Sequence, residues 1–357
     1  MTLDANIASF RRWRLRQRAL AGVTQPNLST RIAGTKVALP VALAPVGLTG
    51  FLRWNGDVAA ARAAERAGTR LILSTGSSWS LEEVADATEY NHWFQLYPYG
   101  NKAKVTALLD RATAAGYDAL FVTVDVQARG NRESERATGM GVPLRLTPRA
   151  AIDFARHPRW TWNLWRHGRA AAIHYKEIGS SGVAAAAQSV RTQDRYMQSD
   201  LNWDDLAAMR EHWRGRLYVK GVLDADDAVR CIDTIGADGV VVSNHGGRQL
   251  DRAAATIDAL PAIVDAVGGR GAVYLDGGIR RGNDVVTALA LGADGVMIGR
   301  AYAYGLAVDG ERGVNKILAG FADDIRRTLT LMGCPGVSAL DRSWIMPAPP
   351  SPDISGE

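Results

Sequence analysis

The sequence predicts a (β/α)8 TIM barrel, an α/β fold, with a long insertion between its fourth and fifth strands. Three observations predict it. The 357-residue chain has room for one such barrel, which takes roughly 250 residues before insertions. From residue 37 onward, short apolar runs alternate with amphipathic helical stretches, as in a parallel sheet covered on both faces. Eight such runs occur, the number that closes a barrel. An open doubly wound sheet would carry a GxGxxG turn after its first strands, and none follows them here.

The eight runs are VALPVALAP (37–45), TRLILST (69–75), HWFQLY (92–97), ALFVTVD (119–125), GRLYVKG (215–221), DGVVVSN (238–244), GAVYLDGG (271–278) and DGVMIGR (294–300). Between them, stretches 57–68, 103–116 and 224–237 space apolar residues as helices do. Each ends at or beside a glycine, which accepts the left-handed C-cap. Residues 126–214 are too long for one crossover. They read as an excursion over the C-terminal face of the barrel, where this fold keeps its active sites. One domain is expected over 1–347, followed by a Pro/Ser-rich flexible tail at 348–357.

Composition narrows the function. At 47% hydrophobic and 22% charged, the chain has a core-forming content, not a disordered one. The net charge is +5, but only six of its 42 basic residues are lysines and they are scattered. That argues against nucleic acid; an arginine-lined catalytic face or an anionic membrane surface explains the sign as well. Cys231 and Cys334 form no CxxC pair, so neither a disulfide framework nor a metal site is expected. No apolar run reaches the roughly 18 residues of a membrane span, and FRRWRLRQR near the start leads into no signal-peptide core. A cytoplasmic enzyme is the expectation.

In a barrel, the C-terminal end of every strand faces one shared pocket. The residues there are Pro45 and Gly47, Ser74, Gln95 and Tyr97, Thr123 and Asp125, Lys220, Ser243 with His245 and Arg248, Asp276 with Arg280, and Gly299 with Arg300. A lone polar residue at a strand end is usually a satisfied structural group. So many together, buried without a ligand, would be costly. DGGIRRG and MIGRA put glycines and arginines at successive strand ends, where backbone N–H groups, Arg280 and Arg300 can hold a phosphate. Lys220, flanked by LYVKGVL, reads as a buried cation beside the bound cofactor.

SNHGGRQLD (243–251), DGGIRRGNDVVTALALGADGVMIGR (276–300), VKGVLDADDA and FQLY resemble the FMN-dependent α-hydroxy-acid dehydrogenases and oxidases. That family includes glycolate oxidase, flavocytochrome b2 and mandelate dehydrogenase. The likeness runs from about residue 9 to residue 340, and segments 123–140 and 157–168 look most like the (S)-mandelate dehydrogenase branch. The resemblance implies FMN as cofactor and oxidation of a small 2-hydroxy acid, mandelate-like or lactate/glycolate-like, to the 2-oxo acid. It implies that His245 is the base, that Asp125 orients it, and that Arg132 and Arg248 hold the substrate carboxylate. Tyr97 would contact a substrate oxygen, and Lys220 would stabilise negative charge on the flavin. By the same likeness, Pro45, Val46, Gly47, Ser74, Gln95, Thr123 and Ser243 would contact the flavin ring and ribityl chain. Asp276, Gly277, Gly278, Arg280, Gly299 and Arg300 would hold the ribityl–phosphate end. The electron acceptor is O2 or a quinone, and a homotetramer is the family's habit.

Two departures bear on these implications. Family members carry a helical segment with a carboxylate-binding tyrosine ahead of the region that MTLDANIASFRRWRL matches. The expectation is a late start or a shortened member; in the second case a flavin-binding scaffold with little turnover is the alternative reading. Gly47 stands where many of the oxidases carry alanine, which leaves oxygen access open. A second enzyme reading is a barrel of the inosinate dehydrogenase or type 2 isopentenyl diphosphate isomerase kind; the first needs a catalytic cysteine loop, and neither Cys231 nor Cys334 sits where one should. In the excursion, HPRWTWNLWRHGRAAAIHY (157–175) interleaves Trp160, Trp162 and Trp165 with arginines, the composition of a segment lying on anionic lipid. The alternative there is a lid or subunit contact. Peripheral attachment at the inner face of a membrane is therefore a second expectation, and GSSGVAAAAQSVRTQ (179–193) reads as a flap over the site.

Overall fold

The computed structural model describes residues 1–98, 102–128, 130–133, 152, 154–169, 171–175 and 200–349. The proposed flap at 179–193 lies outside the described residues, as do 134–140 and 350–357. Strands β1 (Trp13–Leu15), β2 (Thr30–Ile32) and β3 (Thr35–Val37) precede the barrel. Its staves are β4 (Val41–Leu43), β5 (Ile72–Ser74), β6 (Trp93–Leu96), β7 (Ala119–Thr123), β8 (Arg216–Val222), β9 (Gly239–Val242), β10 (Ala272–Asp276) and β11 (Gly295–Ile298). They pair in parallel in the order β4-β11-β10-β9-β8-β7-β6-β5, and a parallel bridge between Leu43 and Leu71 joins the two ends. The sheet closes into the expected barrel.

The run 37–45 divides in a way that periodicity does not anticipate. Pro40, which has no N–H to give a ladder, separates β3 from β4. The first half pairs antiparallel with β2, Thr30 opposite Val37 and Ile32 opposite Thr35. This hairpin plugs the N-terminal mouth of the barrel, where the Ala33 N–H donates to the Tyr274 hydroxyl at 2.8 Å.

Alternation along each stave decides what faces inward. Ile32, Ala42, Ile72, Trp93, Phe121, Tyr218, Val241, Tyr274 and Met297 form one buried cluster inside the barrel. Their intervening neighbours, such as Leu73, Phe94, Val122, Val219 and Leu275, belong to the core between staves and helices. Phe121 stacks on Tyr218 with centroids 4.9 Å apart. Two residues further along, the same inward rows carry Ser74, Gln95, Thr123, Lys220, Ser243, Asp276 and Gly299. With a side-chain period of two, the residues that fill the lower barrel determine which ones line its upper mouth.

Helices Gly56–Arg66, Lys102–Ala114 and Ala225–Asp233 lie where periodicity places them, and Gly68, Gly116 and Gly236 beyond their ends have φ of 67°, 81° and 72°. Helix Arg300–Met332 is broken at Asp309 and Gly310 and joins helix Gly56–Arg66 through Arg66 and Glu311, 2.7 Å apart. The last part of the 126–214 stretch is helix Trp203–His212, capped by Asn202, which returns the chain to β8. Strand β12 (Ile345–Pro347) pairs antiparallel with β1, bringing the two ends of the described chain together.

Candidate active site

The upper mouth of the barrel opens into a cavity of about 440 Å³, within the range of small-ligand sites. Its floor is a buried polar chain. The Lys220 ammonium donates to Ser243 Oγ at 2.8 Å and stands 2.5 Å from Asp276 Oδ2; the Ser243 hydroxyl donates to the same carboxylate at 3.0 Å. Burial pushes the Asp276 carboxyl up. The adjacent ammonium and the two hydrogen bonds outweigh that and hold it below the ordinary carboxylate value. Lys220 is buried, as its apolar flanks predict. Beside it, Ser74 Oγ donates to Gln95 Oε1 at 3.0 Å, while Gln95 Nε2 and Thr123 Oγ1 are buried with no partner among the described residues. Two unsatisfied buried polar atoms, one in the cavity wall and one just behind it, are expensive. They fit a flat, polar-edged ligand.

The turn after β9 carries the next group. His245, Gly246 and Gly247 have φ of 57°, 64° and 74° in succession, a left-handed run in which two glycines cost little and histidine is tolerated. A Cβ at Gly247 would stand 2.6 Å from the Leu3 backbone nitrogen, so this glycine answers to packing as well as to φ. The turn sets His245 Nδ1 3.0 Å from Asp125 Oδ1 and His245 Nε2 3.3 Å from the Tyr97 hydroxyl. With Nδ1–H given to the carboxylate, Nε2 is the basic nitrogen.

Arg132 and Arg248 line the cavity together with Tyr97 and His245. Gln249 ties the two loops together: its Nε2 donates to the carbonyls of Asp125 and Ala128 at 3.2 and 2.9 Å, and its Oε1 accepts from Arg132 at 3.5 Å. Gly277, Gly278, Arg280, Gly299 and Arg300 also line the wall, and the Arg300 guanidinium donates to the Gly246 carbonyl at 3.0 Å. Pro45, Val46 and Gly47 line it too. A Cβ at Gly47 would lie 3.2 Å from the Gly76 carbonyl oxygen, so the two loops nearly touch. Four arginines and a lysine border one cavity, with Asp276 the one carboxylate on it among the described residues. Such a cavity suits an anionic ligand.

The profile of FMN-dependent dehydrogenases matches residues 1–347. The chain belongs to that family. L-lactate dehydrogenase of Pectobacterium atrosepticum is 41% identical over 344 residues, covering 94% of this chain and 87% of the relative. (S)-mandelate dehydrogenase of Pseudomonas putida is 38% identical over 336 residues, covering 94% and 84%. Among solved structures, a monotopic membrane protein (S)-mandelate dehydrogenase superposes with a TM-score of 0.92 at 36% identity, covering 97% of this chain and 91% of the other.

In this FMN-dependent dehydrogenase, the residues expected from the sequence converge on one cavity. Gln95, Ser243 and Asp125 are the exceptions, standing just behind the wall and bonded to groups that line it. Gln95 Nε2, Thr123 Oγ1, the buried Lys220 and the arginine-rich wall fit the ring, ribityl and phosphate parts of FMN. Sequence reasoning missed Leu48, Gly76 and Tyr304, which also line the cavity. Tyr304 stands one helical turn beyond Arg300, a spacing that could have flagged it. Leu48 has a φ of 56°, a backbone property with no sequence signature in a leucine.

The tryptophan segment divides. In helix Pro158–His167, Trp160 Nε1 donates to the Phe51 carbonyl at 2.6 Å, so this ring faces the protein, not lipid. Trp162 and Trp165 are 56% and 74% exposed, their rings 5.1 Å apart. Among the described residues, no helix is long and apolar enough to cross a membrane.

Proposed function

We propose that the protein oxidises a 2-hydroxy acid to the corresponding 2-oxo acid. The observation that carries the reading is the convergence of a carboxylate-oriented imidazole and two arginines on an FMN-compatible cavity. Bound FMN supplies the two-electron acceptor. Arg132 and Arg248 grip the substrate carboxylate, a task for which the planar guanidinium fork is suited. His245 Nε2 takes up the proton that the substrate loses, and the Asp125 carboxylate stabilises the resulting imidazolium. Tyr97, within reach of the same nitrogen, orients the substrate oxygen. Lys220 places positive charge on the floor without any reorganisation.

Both lactate and mandelate dehydrogenases stand among the relatives, so the test uses both substrates. Purified FMN-loaded protein with an artificial electron acceptor should release 2-oxo acid from mandelate or lactate. No 2-oxo acid from either, nor from a wider set of 2-hydroxy acids, would remove the proposal.

A second reading concerns location. A neighbour of similar structure is described as a monotopic membrane protein, and Trp162 and Trp165 form an exposed aromatic pair flanked by the exposed Arg159 and Arg166. We propose that this face rests on an anionic membrane surface. Flotation with phosphatidylglycerol vesicles should carry the protein upward, and Trp162→Ala/Trp165→Ala should stay at the bottom. Equal flotation of both would overturn the assignment.

A further inference from the structure

The catalytic turn is fastened from behind by a residue at the opposite end of the chain. Helix Thr2–Ala8 buries Thr2 and Asn6 against the barrel mouth. Asn6 and Asn244 exchange two hydrogen bonds: Asn6 Nδ2 donates to Asn244 Oδ1 at 2.8 Å, and Asn244 Nδ2 donates to Asn6 Oδ1 at 2.8 Å. Both side chains are almost wholly buried, at 1% and 4% exposure.

Backbone groups fix the orientation of each amide. The Gly247 N–H donates to Asn244 Oδ1 at 3.0 Å, and the Ala254 carbonyl accepts from Asn244 Nδ2 at 3.0 Å. The Thr256 N–H donates to Asn6 Oδ1 at 3.2 Å. An N–H needs an oxygen and a carbonyl needs an N–H, so neither amide can flip without breaking a bond. The same short helix presses on the backbone at two glycines. A Cβ at Gly247 would meet Leu3, and one at Gly278 would stand 2.0 Å from the Asn6 carbonyl oxygen. Asn244 immediately precedes the left-handed run that begins at His245.

We propose that Asn6 is a positioning residue for the reaction: its amide pair with Asn244 fixes the turn that carries His245 and Arg248 into the cavity. This rests on the 2-hydroxy-acid reading of that site. Asn6 touches neither substrate nor cofactor; it acts through the turn. A shift of about 1 Å in a catalytic group can cost on the order of 100-fold in rate, and a histidine at a φ of 57° can relax to the commoner negative φ when its fastening is lost.

The test compares FMN-loaded wild type, Asn6→Ala, Asn6→Asp and Ser9→Ala. Ser9 bonds Asp258 at 2.7 Å from the segment following the helix, so its variant controls for loosening of the N-terminus alone. Asn6→Ala should keep its flavin and reduce it roughly 10- to 100-fold more slowly, while Ser9→Ala stays within about twofold of wild type. In Asn6→Asp, the ionised carboxylate faces Asn244 Oδ1 and repels it, whereas the protonated acid donates to it. Its rate relative to wild type should therefore rise as pH falls, which a merely structural role would not produce and which keeps the test alive should Asn6→Ala fail to fold. The affinity for the 2-oxo acid product, read from perturbation of the flavin spectrum, should weaken in both Asn6 variants and not in Ser9→Ala. That binding readout separates the proposal from the wider functional reading, because it needs no turnover. Wild-type rate and affinity in Asn6→Ala, or a pH-independent ratio for Asn6→Asp, would overturn it.

Discussion

Asp125 Oδ1 lies 3.0 Å from His245 Nδ1, linking the end of β7 to the turn after β9 across the mouth of the barrel. The contact fixes which imidazole nitrogen is free to act. Replacing Asp125 by asparagine keeps the size but offers an amide that can present its N–H and select the other tautomer. Asp125→Asn should lower the rate of flavin reduction by about 10²- to 10⁴-fold with FMN content unchanged, measured by stopped-flow absorbance. A rate within twofold of wild type would mean that the contact is structural only.

Arg132 and Arg248 both line the cavity, and the value of the carboxylate contacts proposed for them lies in the guanidinium plane. Arg132→Lys and Arg248→Lys keep the charge and lose the fork. Each should raise KM by about 10-fold or more, the loss of one hydrogen bond to a charged group, with a smaller effect on kcat. Steady-state kinetics on mandelate and lactate would check this, and an unchanged KM in both variants would contradict it.

Lys220 and Asp276 are a buried pair, and breaking such a pair costs more than the pair contributes. Lys220→Met strands the Asp276 carboxylate and should destabilise the protein by about 3–5 kcal/mol in urea unfolding. Lys220→Met/Asp276→Asn should recover part of that loss, since no lone charge stays buried. A double variant no more stable than Lys220→Met would show that the two groups are not coupled.

Asp57 stands apart from the cavity but behind its wall, at the start of helix Gly56–Arg66, where its Oδ2 accepts from the Ser78 and Trp79 N–H groups at 2.8 and 3.2 Å. Burial raises its carboxyl from 3.8 to about 6, the hydrogen bonds offsetting only part of that cost. Between those two values the folded protein binds a proton that the unfolded chain has released, so the contribution of Asp57 to stability falls as pH rises through this window and is level above it. An asparagine in its place is neutral throughout. The stability difference between Asp57→Asn and wild type should therefore move in the variant's favour from pH 4 to about 6 and then stay level, as read by thermal unfolding. A difference independent of pH would contradict the assignment.

Much of this was legible because barrel geometry is periodic. Once Phe121, Tyr218 and Tyr274 are read as inward-facing, Thr123, Lys220 and Asp276 follow two residues later on the same faces, and the strand ends collect into one site. The hairpin at Thr30–Val37 was not legible, because Pro40 divides a run whose two halves look alike in apolar content. The face of Trp160 depends on which side of its helix meets Phe51, and spacing alone does not settle that. Asn6 was invisible for a different reason: it lies 238 residues from Asn244, and nothing local in TLDANIA announces that its amide meets the catalytic turn.

The central claim is that His245 takes the substrate's proton while the electrons leave for FMN. The most direct measurement is anaerobic mixing of the FMN-loaded protein with racemic mandelate and, separately, racemic lactate, followed in the flavin's visible absorbance. Wild type should bleach with at least one of them, and His245→Ala, equally yellow, should stay coloured. A wild-type protein that keeps its colour with both, or a His245→Ala variant that bleaches at the wild-type rate, would contradict the account.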